Sequence, residues 1–211
     1  MLAATRKNSL TLAVFACIFT GLVALTEYLT KDRIKEKETA QVISILDHII
    51  PHNLYDNNLH QCCTLITDPA LGTNRPLPSC LATLNGQPTA LTIETIAPDG
   101  YNGEIKMIIG IKRDGTITGV RILSHKETPG LGNKIDFHIT DWALSFTGQK
   151  ITDSVLSNWK VKKDGGKFDQ FTGATITPRA VVKAVKNAVL YINQNQDTLF
   201  SKSLDCRNLY E

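Results

Sequence analysis

Residues 105–123 read IKMIIGIKRDGTITGVRIL and decide the fold class of this chain. Every odd position from 105 to 111 is apolar, which is typical of a β-strand with one buried face. Asp114-Gly115 follows, a dipeptide that favours a two-residue hairpin turn, and residues 116–123 resemble the returning strand. The stretch therefore predicts two adjacent antiparallel strands.

Other segments extend this hairpin into an α+β domain. Residues 91–95 alternate like a further strand, whereas residues 51–87 are rich in Asn, Pro, Asp and Thr and predict loops with short strands. Residues 133–148 predict one or two short helices around Trp142, and residues 160–171 predict a loop or short strand. We expect a small, mostly antiparallel sheet with flanking helices.

Two helices have clear boundaries in the sequence. The last begins at Thr177-Pro178, with the Thr177 hydroxyl as N-cap and proline in the first turn. The earlier one ends at Pro51. Each has one apolar face: Val42, Ile45, Leu46, Ile49 and Ile50 in the earlier helix, and Val181, Val185, Ala188 and Ile192 in the last.

The N-terminal segment has the length and composition of a membrane span. Residues 8–26 carry no formal charge, and a helix over residues 10–30 is about 31 Å long, the thickness of a bilayer's hydrocarbon core. We predict an uncleaved transmembrane anchor over 10–30, a short N-terminal segment 1–9, an amphipathic helical stalk 31–50 and a domain 51–211. A cleaved signal peptide is the alternative.

The basic residues that flank the span do not determine its orientation. Two precede it and four follow it: Arg6, Lys7, Lys31, Arg33, Lys35 and Lys37. Counting them places the C-terminal side in the cytoplasm, but the rule weakens when a long domain follows the span.

Four cysteines follow the span, an even number that allows disulfides if the domain is exported. Adjacent cysteines rarely pair with each other, so a bridge from Cys62 or Cys63 to Cys80 or Cys206 is expected in that case. Reduced thiols are the competing interpretation.

The strongest chemical motif is residues 169–179, DQFTGATITPR. Gly173 and Ala174 leave space beside the Thr175 hydroxyl, and the following helix directs free N–H groups and its positive dipole end to the same place. Several cations lie nearby in sequence: Lys160, Lys162, Lys163 and Arg179. The arrangement suits a phosphate group. The competing interpretation is a structural turn from small residues into a helix, with threonine as a cap.

Two motifs about 40 residues apart resemble those of a known family. They are residues 125–132, HKETPGLG, and Thr172-Gly-Ala-Thr175, with residues 162–166, KKDGG, between them. The sequence resembles the FMN-binding domain family, in which flavin is attached through its phosphate to a threonine of an S/T-G-A-T motif. Thr172 stands where many members have serine. The whole chain resembles the members found in Rnf-type ion-translocating electron-transport complexes.

This resemblance implies a cofactor and the residues that bind it. FMN would be attached as a phosphoester to Thr175, with Glu127 and the loop after it beside the isoalloxazine ring. A solvated loop carboxylate is the alternative for Glu127. The remaining residues implied at the site are Thr172, Gly173, Ala174, Thr128, Gly130, Leu131 and Lys163.

The resemblance also implies partners and location. A flavin transferase would attach the cofactor, and the other membrane subunits of an Rnf-type complex would exchange electrons with it. Residues 1–9 would be cytoplasmic and the domain would lie on the periplasmic side of a bacterial inner membrane. The alternative, from another functional class, is an anchored extracytoplasmic binding or sensor domain without a redox cofactor.

Composition and the remaining motifs exclude other classes. The net charge of +3 is too small for a nucleic-acid-binding surface, and one apolar span excludes a polytopic transporter. Hydrolase, NTPase and dinucleotide-binding motifs are lacking. A superficially zinc-like set, His48, His52, His60, Cys62 and Cys63, is interrupted by Pro51, so we expect no metal site there. His125 is interpreted as a hydrogen-bonded structural residue rather than one that tunes the flavin.

Overall fold

The computed structural model describes residues 2–201, so Cys206 lies outside the described part. The chain divides into two compact units, one up to Gln41 and one from Val42 onward. The first helix, α1, is continuous over Leu2–Ile49 and includes Asn8–Ile34, a stretch long and apolar enough to span a membrane. Its side chains in that stretch are exposed, as expected for a surface that faces lipid.

The second unit contains one five-stranded sheet in the order β1-β2-β3-β4-β5, in which every neighbouring pair is antiparallel. The strands are β1 (Cys63–Asp68), β2 (Thr73–Leu84), β3 (Gln87–Ala97), β4 (Ile105–Lys112) and β5 (Ile117–Ser124). The hairpin predicted around Asp114-Gly115 joins β4 to β5, and Gly115 has the positive φ that this turn needs. The predicted α+β class is confirmed.

The prediction of loops with short strands for residues 51–87 was wrong at β2, a strand of twelve residues. Its residues 79–82 are buried on both sides of the sheet. A strand covered on both faces does not alternate between polar and apolar residues, and the prolines at 76 and 78 further obscured the pattern.

Two apolar cores cover the two faces of the sheet. The larger core lies against α2 (Ile176–Gln194), whose predicted face at Val181, Val185, Ala188 and Ile192 is buried. The smaller core includes Leu46, Ile49 and Ile50 at the end of α1, as the apolar face predicts. Ile49 packs over the facing pair Gly110 and Gly119, where an added Cβ would lie 3.1 and 3.2 Å from its side chain. A short helix, α3 (Gln196–Ser201), follows α2.

An aromatic cluster fixes the long segment between β5 and α2. The helices predicted around Trp142 are 3-10 turns, Gly132–Ile135 and Asp141–Phe146. The rings of Phe146 and Phe168 stack with centroids 4.6 Å apart, and Trp159 lies 5.0 Å from Phe168. Trp142 donates its indole N–H to the carbonyl of Asp169 at 2.9 Å. These contacts hold the chain in place immediately before Thr172.

A disulfide joins Cys63 to Cys80, facing residues of β1 and β2. It is one of the pairings predicted for an exported domain. Cys62 is a free thiol. Because Cys63 is disulfide-bonded it cannot ligate a metal, and the described residues contain no group of three potential metal ligands.

Candidate functional site

A cavity of about 550 Å³ opens between the loop after β5 and the start of α2, within the size range of small-molecule and cofactor sites. Residues from both predicted motifs line it. The lining residues are Tyr101, Glu127, Thr128, Leu131, Gly132, Lys163, Gly173, Ala174, Thr175, Ile176 and Thr177.

Thr175 lies at the position immediately before α2 and makes no side-chain capping hydrogen bond. The N–H groups of Ile176 and Thr177, in the first turn, have no acceptor within the helix. Gly173 has φ +78°, and a side chain added there would come within 3.3 Å of Leu131. The turn thus brings a hydroxyl, free helix N–H groups and open space together at the cavity wall.

Thr177 is not the N-cap, so that prediction was wrong. It is the second residue of α2, is 1% exposed and donates its hydroxyl hydrogen bond to Oε2 of Glu127. A buried hydroxyl needs a partner, and here it donates to a carboxylate in a charge-assisted hydrogen bond. As an N-cap it would instead accept a hydrogen bond from a helix N–H group.

Glu127 is 5% exposed, which excludes the solvated-loop interpretation. Its Oε1 accepts a hydrogen bond from the backbone N–H of Asn102 at 3.2 Å. The backbone N–H of Glu127 donates to Nδ1 of His125 at 3.1 Å. The His125 ring is therefore hydrogen-bonded within the loop, as predicted. Three elements hold Glu127: the β3–β4 turn, the loop after β5 and α2.

Two of the four cations near the motif, Arg179 and Lys162, have carboxylate partners. Arg179 donates two hydrogen bonds to Asp164 at 2.7 and 2.8 Å, and this pairing holds the pKa of Asp164 below its usual range. Lys162 lies 2.6 Å from Asp169. Lys163 lines the cavity and forms no ion pair with any described residue. Of these three cations, Lys163 is the one available to an anion in the cavity.

The structure brings together seven of the nine predicted site residues. Thr172 is exposed beside the cavity and Gly130, with φ +76°, forms the turn of the loop, and neither lines the cavity. Sequence reasoning missed Tyr101, Gly132, Ile176 and Thr177 as lining residues. Tyr101 belongs to the turn between β3 and β4, which only the sheet topology places beside the end of β5.

Tyr101, Leu131 and Ile176 are 65%, 40% and 47% exposed. They line the cavity together with the polar groups of Glu127 and Thr175. An open cavity with apolar lining and few, well-placed polar groups suits a flat, partly apolar ligand that carries a charged end.

Comparison with known proteins agrees with this geometry. Residues 100–190 match the model of the FMN-binding domain, and residues 1–49 match that of the RnfG N-terminal region. The FMN-binding match covers all the residues that line the cavity. The domain match supports FMN as the ligand.

Several relatives resemble the chain over almost its full length, and each is named as the G subunit of an ion-translocating oxidoreductase complex. The protein of Vibrio atlanticus is 61% identical over 98% of this chain and 99% of its own length. One from Vibrio cholerae is 59% identical with the same coverage, and that of Shewanella baltica is 53% identical over 95% of each chain. The chain therefore belongs to the family of G subunits of the ion-translocating oxidoreductase complex.

Proposed function

We propose that this chain holds FMN in the cavity as a phosphoester of Thr175. In this role it relays electrons between other subunits of an Rnf-type membrane complex that couples electron transfer to ion transport. FMN supplies the electron chemistry, and the protein supplies its attachment, orientation and electrostatic environment.

The observation that carries this proposal is the meeting of two distant motifs in one cavity. The 125–132 loop and the 172–175 turn are about 40 residues apart, and residues from both line the same space of about 550 Å³. A structural cap would need only Thr175 and the helix. It would not explain why a buried carboxylate and an unpaired lysine lie around the same opening.

At one end of the cavity the groups suit a phosphate. The Thr175 hydroxyl is not used for capping, the N-terminus of α2 favours negative charge, and Lys163 supplies a cation. Gly173 and Ala174 leave room beside the ester, and Thr172 is exposed beside the cavity.

A second set of groups around the cavity suits the ring system. We place Glu127, Thr128 and Leu131 beside it, with Gly130 shaping the loop that carries them. Thr128 accepts a hydrogen bond from the Asn102 amide at 3.3 Å, which ties this loop to the β3–β4 turn.

Attachment needs a separate flavin transferase that uses FAD and a divalent metal. In that step the Thr175 oxygen would bond to the phosphorus of the FMN half of FAD, the pyrophosphate bond would break and AMP would leave. The hydroxyl proton would pass to a base of the transferase, and no electrons would be exchanged.

The test is a denaturing gel of the full chain, expressed with and without a flavin transferase. Under ultraviolet light we expect a fluorescent band at the mass of the chain only when the transferase is present. A flavin-free band in both samples would instead favour an anchored binding or sensor domain without a redox group.

We further propose that the chain is a single-pass protein of the bacterial inner membrane, with residues 1–9 cytoplasmic and the domain periplasmic. The N-terminal apolar helix and the membrane complex of its relatives fit a single-pass protein. The Cys63–Cys80 disulfide supports export, because disulfides persist in oxidising compartments.

Orientation is tested by fusions after Glu211. A fluorescent protein that folds only in the cytoplasm should be dark, and a phosphatase that is active only after export should be active. The charge count around the span argues the other way. A bright cytoplasmic reporter together with an inactive phosphatase would contradict the periplasmic placement.

A further inference from the structure

The carboxylate of Glu127 has a hydrogen-bond donor on each oxygen. The Thr177 hydroxyl donates to Oε2, and the Asn102 backbone N–H donates to Oε1 at 3.2 Å. A carboxylate offers acceptors only, so a pair of donors matches its ionised form. The wall of the cavity thus contains a buried negative group with a defined orientation.

The surrounding backbone is closely fitted to this pair. A Cβ added to Gly132 would lie 2.5 Å from Oε2 of Glu127 and 2.7 Å from the Thr177 hydroxyl oxygen. A Cβ added to Gly100 would lie 3.0 Å from Oε1. With Glu127 and Thr177 in these positions, neither glycine has room for a side chain, so the backbone packs closely against the pair.

We propose that Thr177 is a positioning residue, which holds the Glu127 carboxylate so that its charge lowers the midpoint potential of FMN in this cavity. This inference rests on the proposed function, because it needs the flavin beside Glu127. A fixed negative charge opposes the addition of electrons to a neighbouring group. The effect is strong where protein rather than water separates the two charges.

Loss of the Thr177 hydroxyl should weaken this effect. A carboxylate that loses one of its two donors is free to turn away from the ring, which reduces the negative charge that faces it. Thr177→Val should therefore change the potential in the same direction as Glu127→Gln, which removes the charge and keeps the shape.

The experiment measures the midpoint potential by spectroelectrochemical titration of the full chain, flavinylated and purified in detergent. We expect Glu127→Gln to favour the reduced flavin about tenfold, which is about 30 mV upward for a two-electron couple. Thr177→Val should also raise the midpoint potential. Thr177→Ser keeps the hydroxyl and should have the wild-type potential. In the Glu127→Gln background, Thr177→Val should add nothing.

Thr95→Val is the matched control, since Thr95 is equally buried but donates to the Leu71 carbonyl at 3.1 Å and does not line the cavity. Its potential should equal that of the wild type. An unchanged potential in Glu127→Gln or Thr177→Val, or additive effects in the double variant, would overturn the inference. If valine prevents folding, Thr177→Ala takes its place. Wild-type protein without covalent flavin would refute the proposed function instead.

Discussion

Thr175→Val is expected to abolish covalent flavin completely while the domain still folds and stays in the membrane fraction. Valine keeps the shape of threonine and removes only the hydroxyl. That hydroxyl makes no capping hydrogen bond, so its loss should cost little stability. The measurement is flavin fluorescence of the band on a denaturing gel, after expression with the transferase.

The neighbouring threonines are the controls. Thr172 is exposed and does not line the cavity, and the Thr177 hydroxyl is already bonded to Glu127. Thr172→Val and Thr177→Val should therefore keep the covalent flavin. Thr177→Val should lose about 1–3 kcal/mol of stability, because it leaves a buried acceptor without one of its donors.

Trypsin should release residues 168–179 as one peptide, since Lys167 precedes it and Arg179 ends it. Fragmentation of this peptide separates all three threonines. An adduct located on Thr172 or Thr177, or fluorescence retained in Thr175→Val, would show that the attachment residue was assigned incorrectly.

Local sequence patterns predicted the elements whose own residues carry a clear signal. β4 is buried on both faces, but its odd-numbered positions are all apolar and Asp114-Gly115 marks its end; α2 has one apolar face, and the N-terminal helix is one long apolar run. In β2, residues 79–82 are buried on both sides and no alternation marks them. Burial on two sides is set by the elements that pack there, and a strand's own sequence does not reveal them.

The candidate site was predictable where it is contiguous in sequence and not where it depends on packing. Thr175 and the loop after Glu127 are each part of a motif. The bond from Thr177 to Glu127 spans 50 residues, and Tyr101 enters through the β3–β4 turn. Thr177 precedes a proline as an N-cap often does, so the local rule favoured a cap. The buried carboxylate outweighed that preference.

The cavity wall carries groups of both charges. Lys163 and the N-terminus of α2 favour an anion near Thr175, whereas the Glu127 carboxylate, hydrogen-bonded to Thr177, adds a buried negative charge. A ligand with one anionic end and one apolar, electron-accepting end would match both. Attachment and redox tuning would then depend on different residues, which is why variants at Thr175 and Glu127 should separate them.

Removal of the Cys63–Cys80 disulfide is expected to cost about 3 kcal/mol of stability, since the bond closes a loop with a sequence separation of 17. β1 is the edge strand of the sheet and pairs only with β2, so the cross-link also limits its separation from the sheet. We expect Cys63→Ala/Cys80→Ala to unfold at lower urea concentration. Tryptophan fluorescence reports this transition, because Trp159 lies in the larger core.

Cys62→Ala is the matched control, because Cys62 is a free thiol beside the disulfide and its removal should leave the urea midpoint unchanged. It also removes the one described thiol next to the bond that could exchange with it. Chemical reduction of the disulfide in the Cys62→Ala protein should then cause the same loss of stability as the double alanine variant, without creating cavities. A loss below about 1 kcal/mol in both experiments would mean that the pairing of β1 with β2 does not need the cross-link. The argument for export would then depend on finding the disulfide in the purified protein, and not on its contribution to stability.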